Sequence, residues 1–225
     1  MDGVKRRIPI NPQAFGDFNR GNNLKMALLY YWLRTLSSYD DVNMVEYLRV
    51  DLNRPGQLSC RNVSKKFGYS KNFVNQCFNA FIEHNLMEYN DNYGRYEFIL
   101  DFGPEYVIID LDILIELVEY CIEKAPRVNG EAVLIYGLLR RKFSVSSKYK
   151  KGWVFSATKL QKWLGYSDTT RSVRIQKVLD DMVDNGWIRF VRTDFDNSPI
   201  PQYGQFLELL DMPREKNRLG AKRLQ

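Results

Sequence analysis

Apolar residues recur at helical spacing in two segments of the chain that lie 101 residues apart. Each segment holds five apolar residues at intervals of 3, 1, 3 and 1, which places them on one face of an α-helix. The first set is Val74, Cys77, Phe78, Phe81 and Ile82. The second set is Ile175, Val178, Leu179, Met182 and Val183. The pattern predicts a helix from Lys71 to about Asn85 and an equivalent helix in the second half.

A nearly identical tetrapeptide precedes each of these helices. It is Phe-Gly-Tyr-Ser at residues 67–70 and Leu-Gly-Tyr-Ser at residues 164–167. In both copies a short helical pattern begins at a serine and ends at the glycine of the tetrapeptide. Serine is a favourable N-cap, and glycine readily adopts the left-handed conformation that ends a helix. The predicted caps and turns are Ser59, Gly68 and Ser70 in the first copy, and Ser156, Gly165 and Ser167 in the second.

The second copy has four additional residues between the tetrapeptide and the apolar positions of the helix. They are residues 168–171 or their neighbours. Four residues are about one helical turn. We therefore expect the second helix either to begin about a turn early or to follow a longer turn.

Each helix pair is flanked by the same further elements. Upstream apolar patterns predict helices at 24–38 and 130–143. Downstream segments predict hairpins at 87–100 and 187–209, with turn-forming residues at their tips. The order of helix, short helix, turn, helix and hairpin is typical of a winged helix-turn-helix domain. The fold predicted is therefore α+β, mainly helical, with two tandem winged helix-turn-helix domains.

The predicted boundary between the two domains lies at residues 104 and 105. The N-terminal domain is then 1–104, and the C-terminal domain is 105–225. A helix predicted at about 112–124 links them and carries one acidic stripe facing solvent. The stripe consists of Asp112, Glu116, Glu119 and Glu123.

Acidic and basic residues are distributed unevenly along the chain. The net charge is +6, but residues 101–123 carry −7 and residues 127–177 carry +10, and the last fifteen residues form a basic tail of +3. A basic block in a folded region suits a phosphate-binding surface, and a solvated face that keeps the protein soluble is the alternative.

The sequence lacks the residues that enzymatic and metal-dependent functions need. The chain has one histidine and three separated cysteines without a CxxC pair, so we expect no metal, no cofactor and buried free thiols. Residues 16–21 have the glycine spacing of a phosphate loop but lack the following lysine and hydroxyl residue. We predict no catalytic residues. No signal peptide or membrane-spanning apolar run is visible, which predicts a cytoplasmic protein without a membrane partner.

The outward faces of the two second helices carry the candidate chemistry. In the first, Asn and Gln side chains can bond adenine edges, and Lys can meet phosphate or guanine. In the second, bases three residues apart form a basic ridge. Bases on the short helices, Arg61, Lys65 and Lys66 in the first copy and Lys159 and Lys162 in the second, would contact the DNA backbone. Including one base on each hairpin, the candidate DNA-binding residues are Lys71, Asn72, Asn75, Gln76, Asn79, Arg95, Arg171, Ser172, Arg174, Lys177 and Arg192.

The two motifs, Leu58 to Leu100 and Phe155 to Leu209, resemble winged-helix modules. Two such modules in one small basic chain resemble the replication initiators of plasmids and some phages. The resemblance implies sequence-specific binding of double-stranded DNA, as a replication initiator or a related mobile-element factor. Two alternatives stay open: a transcriptional regulator in which one module forms a homodimer, and a winged-helix adaptor between proteins.

Overall fold

The computed structural model describes residues 7–11, 23–49, 58–99, 106–124, 130–145, 153–155, 160–161, 164, 172–193 and 204–209. Within them the chain is α+β and mainly helical, as the sequence predicts. The helices of eight residues or more are α1 (Asn23–Thr35), α2 (Cys60–Phe67), α3 (Lys71–Glu83), α4 (Leu111–Glu123), α5 (Glu131–Val145) and α6 (Ser172–Asp184). The strands are β1 (Arg7–Ile10), β2 (Ser38–Asp40), β3 (Val45–Arg49), β4 (Met87–Asn90), β5 (Arg95–Phe98), β6 (Val107–Asp110), β7 (Trp153–Phe155), β8 (Ile188–Thr193) and β9 (Gly204–Leu209).

The described strands of each half form an antiparallel sheet in which three strands have the same connectivity. In the first half the order is β2-β3-β5-β4, and in the second it is β7-β9-β8. In each half, the strand that precedes the short helix pairs with the second strand of the hairpin, as β3 pairs with β5 and β7 with β9. The repetition of sequence motifs is thus matched by a repetition of topology. β1 and β6 form a separate two-stranded ribbon.

The caps of the first helix pair form as predicted. The hydroxyl oxygen of Ser59 accepts a hydrogen bond from the backbone N–H of Asn62, and that of Ser70 accepts one from Phe73. Gly68 ends α2 with φ +66°, in the left-handed region where a side chain would be strained. The equivalent residues Ser156, Gly165 and Ser167 lie outside the described residues, as do the four additional residues of the second copy.

The helices α3 and α6 end in the same way. Asn85 and Gly186, which are 101 residues apart, both have positive φ, at 55° and 72°. The next backbone N–H reaches back to the helix in each case, from Leu86 to the carbonyl of Phe81 and from Trp187 to that of Met182. These bonds satisfy carbonyls that the helix itself leaves unpaired. α3 and α6 therefore share their C-terminal geometry as well as their apolar faces.

One hydrophobic core extends through both halves. α1 packs against α4 and α5, so the middle of the chain lies against its first long helix. All five apolar positions of α6 are buried or partly buried, but Ile82 of α3 is 41% exposed, because the buried face of α3 is centred on Val74, Cys77 and Phe81. α1 ends at Thr35, three residues short of the prediction, because Ser38 enters β2. The predicted boundary at 104 and 105 lies outside the described residues.

The acidic stripe of α4 is largely on the surface. Asp112, Glu119 and Glu123 are exposed. Glu116 is half-buried and accepts a hydrogen bond from the Trp187 indole nitrogen at 2.8 Å. Tyr120 of the same helix donates to Asp181 of α6 at 2.6 Å. α4 is therefore attached to the second helix pair as well as to α1. None of the described helices is both long and apolar enough to cross a bilayer.

Candidate nucleic-acid interface

The outward face of α3 is polar, amide-rich and open to solvent. Its five candidate residues are all exposed: Lys71, Asn72, Asn75, Gln76 and Asn79. They lie opposite the buried residues Val74, Cys77 and Phe81, which bind α3 to the core. The Cys60 thiol at the start of α2 donates to the Asn75 amide oxygen at 2.9 Å, so the two helices meet beside this face. The structure therefore brings these five sequence-predicted residues together on one surface.

Aromatic contacts position the start of α3. The ring of Tyr69, in the turn before the helix, stacks on Phe67 at 5.3 Å and meets Phe73 edge-on at 5.2 Å. The Lys25 ammonium of α1 lies 5.8 Å from the Tyr69 ring centre and 5.9 Å from that of Phe73. The Ser64 hydroxyl donates to the Tyr69 carbonyl. The turn is thus held by α1 and α2 together.

The neighbouring helix α2 also carries exposed basic residues. Arg61, Lys65 and Lys66 are all exposed. The Lys66 ammonium lies 5.5 Å from the Trp32 ring centre, which stabilises its position over α1. With Lys71, the α2–α3 pair therefore has four exposed bases. Such bases can attract phosphate without reading sequence.

Arg95 does not belong to this surface, which corrects the sequence-based assignment. Arg95 is only 8% exposed, and its guanidinium pairs with Asp40 at 3.0 Å and with Glu97 at 2.7 Å. The rings of Tyr47 and Tyr93 lie 4.3 and 4.5 Å from the guanidinium carbon. Because its donors are directed at two carboxylates of the sheet, Arg95 stabilises the hairpin and is not presented to a ligand.

The carboxylate of Asp40 is held in its charged form. Hydrogen bonds from Asn43, from Arg95 and from the Val42 backbone lower the pKa of Asp40 to about 2. The bond between Asp40 and Arg95 is therefore present at neutral pH and is lost only in strong acid.

Arg174 also departs from the sequence-based prediction. It lies 101 residues after Phe73, at the half-buried side of the helix, and its side chain is 33% exposed. Its guanidinium contacts the carboxylate of Glu131 at 2.5 Å, and the Glu131 side chain is completely buried. The predicted basic ridge through Arg171, Arg174 and Lys177 is therefore interrupted, because its central member neutralises a buried acid.

The exposed face of α6 differs from that of α3. Lys177 is exposed as predicted, but so are Asp180 and Asp184, and Val173 is 75% exposed. The Gln176 amide donates to Asp180 at 2.9 Å. Of the remaining candidates, Ser172 is the first residue of α6, Arg192 lies on β8, and Arg171 lies outside the described residues.

The described residues hold no group of three or more histidine, cysteine or acidic side chains that could bind a metal ion. Cys60, Cys77 and Cys121 are free thiols; Cys77 and Cys121 are buried as predicted, whereas Cys60 is only partly buried. Burial raises the pKa of Cys77 to about 12, and burial together with the nearby Glu131 charge does the same for Cys121. These two thiols stay protonated at neutral pH and are poor nucleophiles.

Sequence reasoning missed the partners of Arg95 and Arg174. Glu131 was visible only as one of two acids within a basic block, a signal that could have marked it as a paired residue. Comparison with models of known families, with curated proteins and with solved structures found no significant match to this chain. Function must therefore be argued from the chemistry of the surface itself.

Proposed function

We propose that this protein binds double-stranded DNA sequence-specifically and inserts α3 into the major groove. The observation that carries the proposal is the exposed face of α3, which has one lysine and four amide side chains. The helix is N-capped by Ser70, and its other face is buried in the core. An α-helix fits the major groove, and Asn or Gln can form paired hydrogen bonds with adenine there. Amide side chains add little charge, so such a face favours base contacts over simple attraction to phosphate.

Two further features support a winged helix-turn-helix assignment for both halves. The α2–α3 pair, with its left-handed turn at Gly68, is followed by the β4–β5 hairpin as a wing. The strand orders β3-β5-β4 and β7-β9-β8 match each other. In this arrangement α2 lies across the DNA backbone, where its three exposed bases would contact phosphates.

The first unit is proposed as the principal reader. At the positions 101 residues after Asn72, Asn75 and Asn79, the helix α6 has Val173, Gln176 and Asp180. A phosphate backbone would repel Asp180, which also accepts a hydrogen bond from the Gln176 amide. α3 has no acidic residue before Glu83. The two units therefore have different roles, and discrimination between sequences comes mainly from α3.

The role in the cell is proposed from the tandem architecture. Two winged units in a basic chain suit a replication initiator or related mobile-element factor, which binds repeated sites at an origin. This step rests on likeness of architecture rather than on a specific residue. If it holds, the selected DNA site should recur several times near the replication origin of the element that encodes the chain.

Salt dependence tests the electrostatic part of this proposal. Binding to duplex DNA should weaken as salt rises, because each neutralised phosphate releases counterions. Lys71→Ala should reduce the slope of log affinity against log salt by about 1. Lys124→Ala, which removes an exposed base beside the acidic face of α4, is the matched control and should leave the slope unchanged. Affinity that does not respond to salt would refute the proposal.

A further inference from the structure

A buried junction connects the second helix pair to the start of α3. Its centre is Glu131, the first residue of α5, whose buried carboxylate contacts Arg174 of α6 at 2.5 Å. A carboxylate in the first turn of a helix is also favoured by the helix dipole. The pair therefore ties the beginning of α5 to the first turns of α6.

The same junction is packed tightly against α1. A Cβ atom on Gly130 would lie 2.6 Å from the carbonyl oxygen of Leu24 and 3.2 Å from the backbone nitrogen of Leu28. Those distances mean that the start of α5 touches the backbone of α1. The neighbouring residue of α1, Lys25, lies over the rings of Tyr69 and Phe73.

Tyr69 completes the connection on the side of α3. Its hydroxyl oxygen is buried, and its ring contacts Phe67 of α2 and Phe73 of α3. Burial raises the pKa of Tyr69 most strongly, and the charge of Glu131 raises it further. Tyr69 is joined to the junction through α1, because Lys25 lies over its ring and the α1 backbone at Leu24 touches Gly130.

We propose that the Glu131–Arg174 pair and Tyr69 are positioning residues that set the angle of α3, and so its fit to the bases. The inference rests on the proposed function and adds a role for the second unit, which holds the recognition helix of the first. The connection runs from Arg174 of α6 to Glu131 of α5, from the neighbouring Gly130 to the backbone of α1, and from Lys25 of α1 to the rings of Tyr69 and Phe73. A buried ion pair of this kind resists displacement, because separating its two charges in a site away from water loses their mutual attraction.

Glu131→Gln tests the proposal, because glutamine keeps the shape of the side chain and removes its charge. We expect about a tenfold loss of affinity for a selected cognate duplex and less than a twofold change for a scrambled duplex. In a protein that already carries Asn75→Ala, Gln76→Ala and Asn79→Ala, Glu131→Gln should change the cognate affinity by less than twofold. This non-additivity marks an effect that passes through α3.

Glu46→Gln is the matched control, since it also weakens a buried ion pair, the one with Arg34. It should lower the stability of the fold while leaving the ratio of cognate to scrambled affinity within about twofold. If Glu131→Gln does not fold, Tyr69→Leu replaces it, with the same expected losses and the same non-additivity. The double variant Glu131→Gln with Arg174→Gln, which removes both charges of the pair, should recover at least half of the discrimination on a logarithmic scale.

Two results would overturn the inference alone: equal losses for cognate and scrambled duplexes, or a full tenfold loss that persists in the triple-alanine protein. Either result would leave the proposed function intact. A wild-type protein that binds both duplexes equally would overturn the proposed function, and this inference with it.

Discussion

Arg34→Met is expected to lower the free energy of unfolding by about 3–5 kcal/mol, because it removes the positive charge that balances the buried Glu46 carboxylate. Arg34 and Glu46 are both buried, and the Arg34 guanidinium bonds to both oxygens of Glu46. It also donates to the carbonyl of Pro9 at 2.7 Å. The residue therefore joins α1 to β3 and β1, and its loss affects all three elements. Urea unfolding followed by circular dichroism measures the change.

The double variant Arg34→Met with Glu46→Leu separates the lost pair from lost packing. Replacing both members of a buried ion pair by apolar residues is often neutral or stabilising. The Ser37 hydroxyl, which donates to Glu46, can still donate to the carbonyl of residue 34 at 2.6 Å. We expect the double variant to recover at least half of the lost stability. A double variant as unstable as Arg34→Met would contradict this account of the pair.

The triple variant Asn75→Ala, Gln76→Ala and Asn79→Ala is expected to lower affinity for a selected duplex by roughly a hundredfold or more. Each good bidentate contact to a base is worth about 1–3 kcal/mol. All three side chains are exposed, so their removal should change stability by only about 0.5 kcal/mol each. Titration of labelled cognate and scrambled duplexes measures the loss of discrimination.

The control for this variant is its counterpart on α6. Gln176→Ala, Lys177→Ala and Asp180→Ala change the positions 101 residues later, on a helix with the same apolar spacing. We expect this protein to keep its cognate affinity within about threefold. Equal losses in the two triple variants would show that α3 is not the principal reader.

Local features of the fold could be predicted from the sequence because their causes are local. Ser59, Gly68 and Ser70 act through bonds within a few residues, and the apolar spacing of α3 and α6 depends only on helix geometry. The matching halves were visible for the same reason, since each cap and anchor recurs at an almost constant offset.

β3 could not be predicted from the sequence because its order of apolar and polar residues does not match its buried and exposed positions. In the segment Val45–Arg49 the buried residues are Glu46 and Leu48, so a charged residue points inward where alternation would place an apolar one. That arrangement depends on Arg34, which comes from another element. A hydrophobicity pattern contains no information about such a partner.

The candidate site was predictable only where side chains face solvent. The polar face of α3 followed from its position opposite the apolar residues. Arg95 and Arg174 were misassigned because sequence position cannot show that Asp40 and Glu131 lie beside them in space. For a basic residue, the difference between a ligand contact and an internal ion pair is set by tertiary structure.

Selection of bound duplexes from a random pool tests the central claim most directly. The wild-type protein and the α3 triple variant would be used in parallel, at one salt concentration low enough for both to retain DNA. We expect the wild-type protein to enrich a defined motif, and the triple variant to retain DNA without enriching it. A wild-type selection that yields no motif, or the same motif from both proteins, would contradict sequence-specific binding through α3.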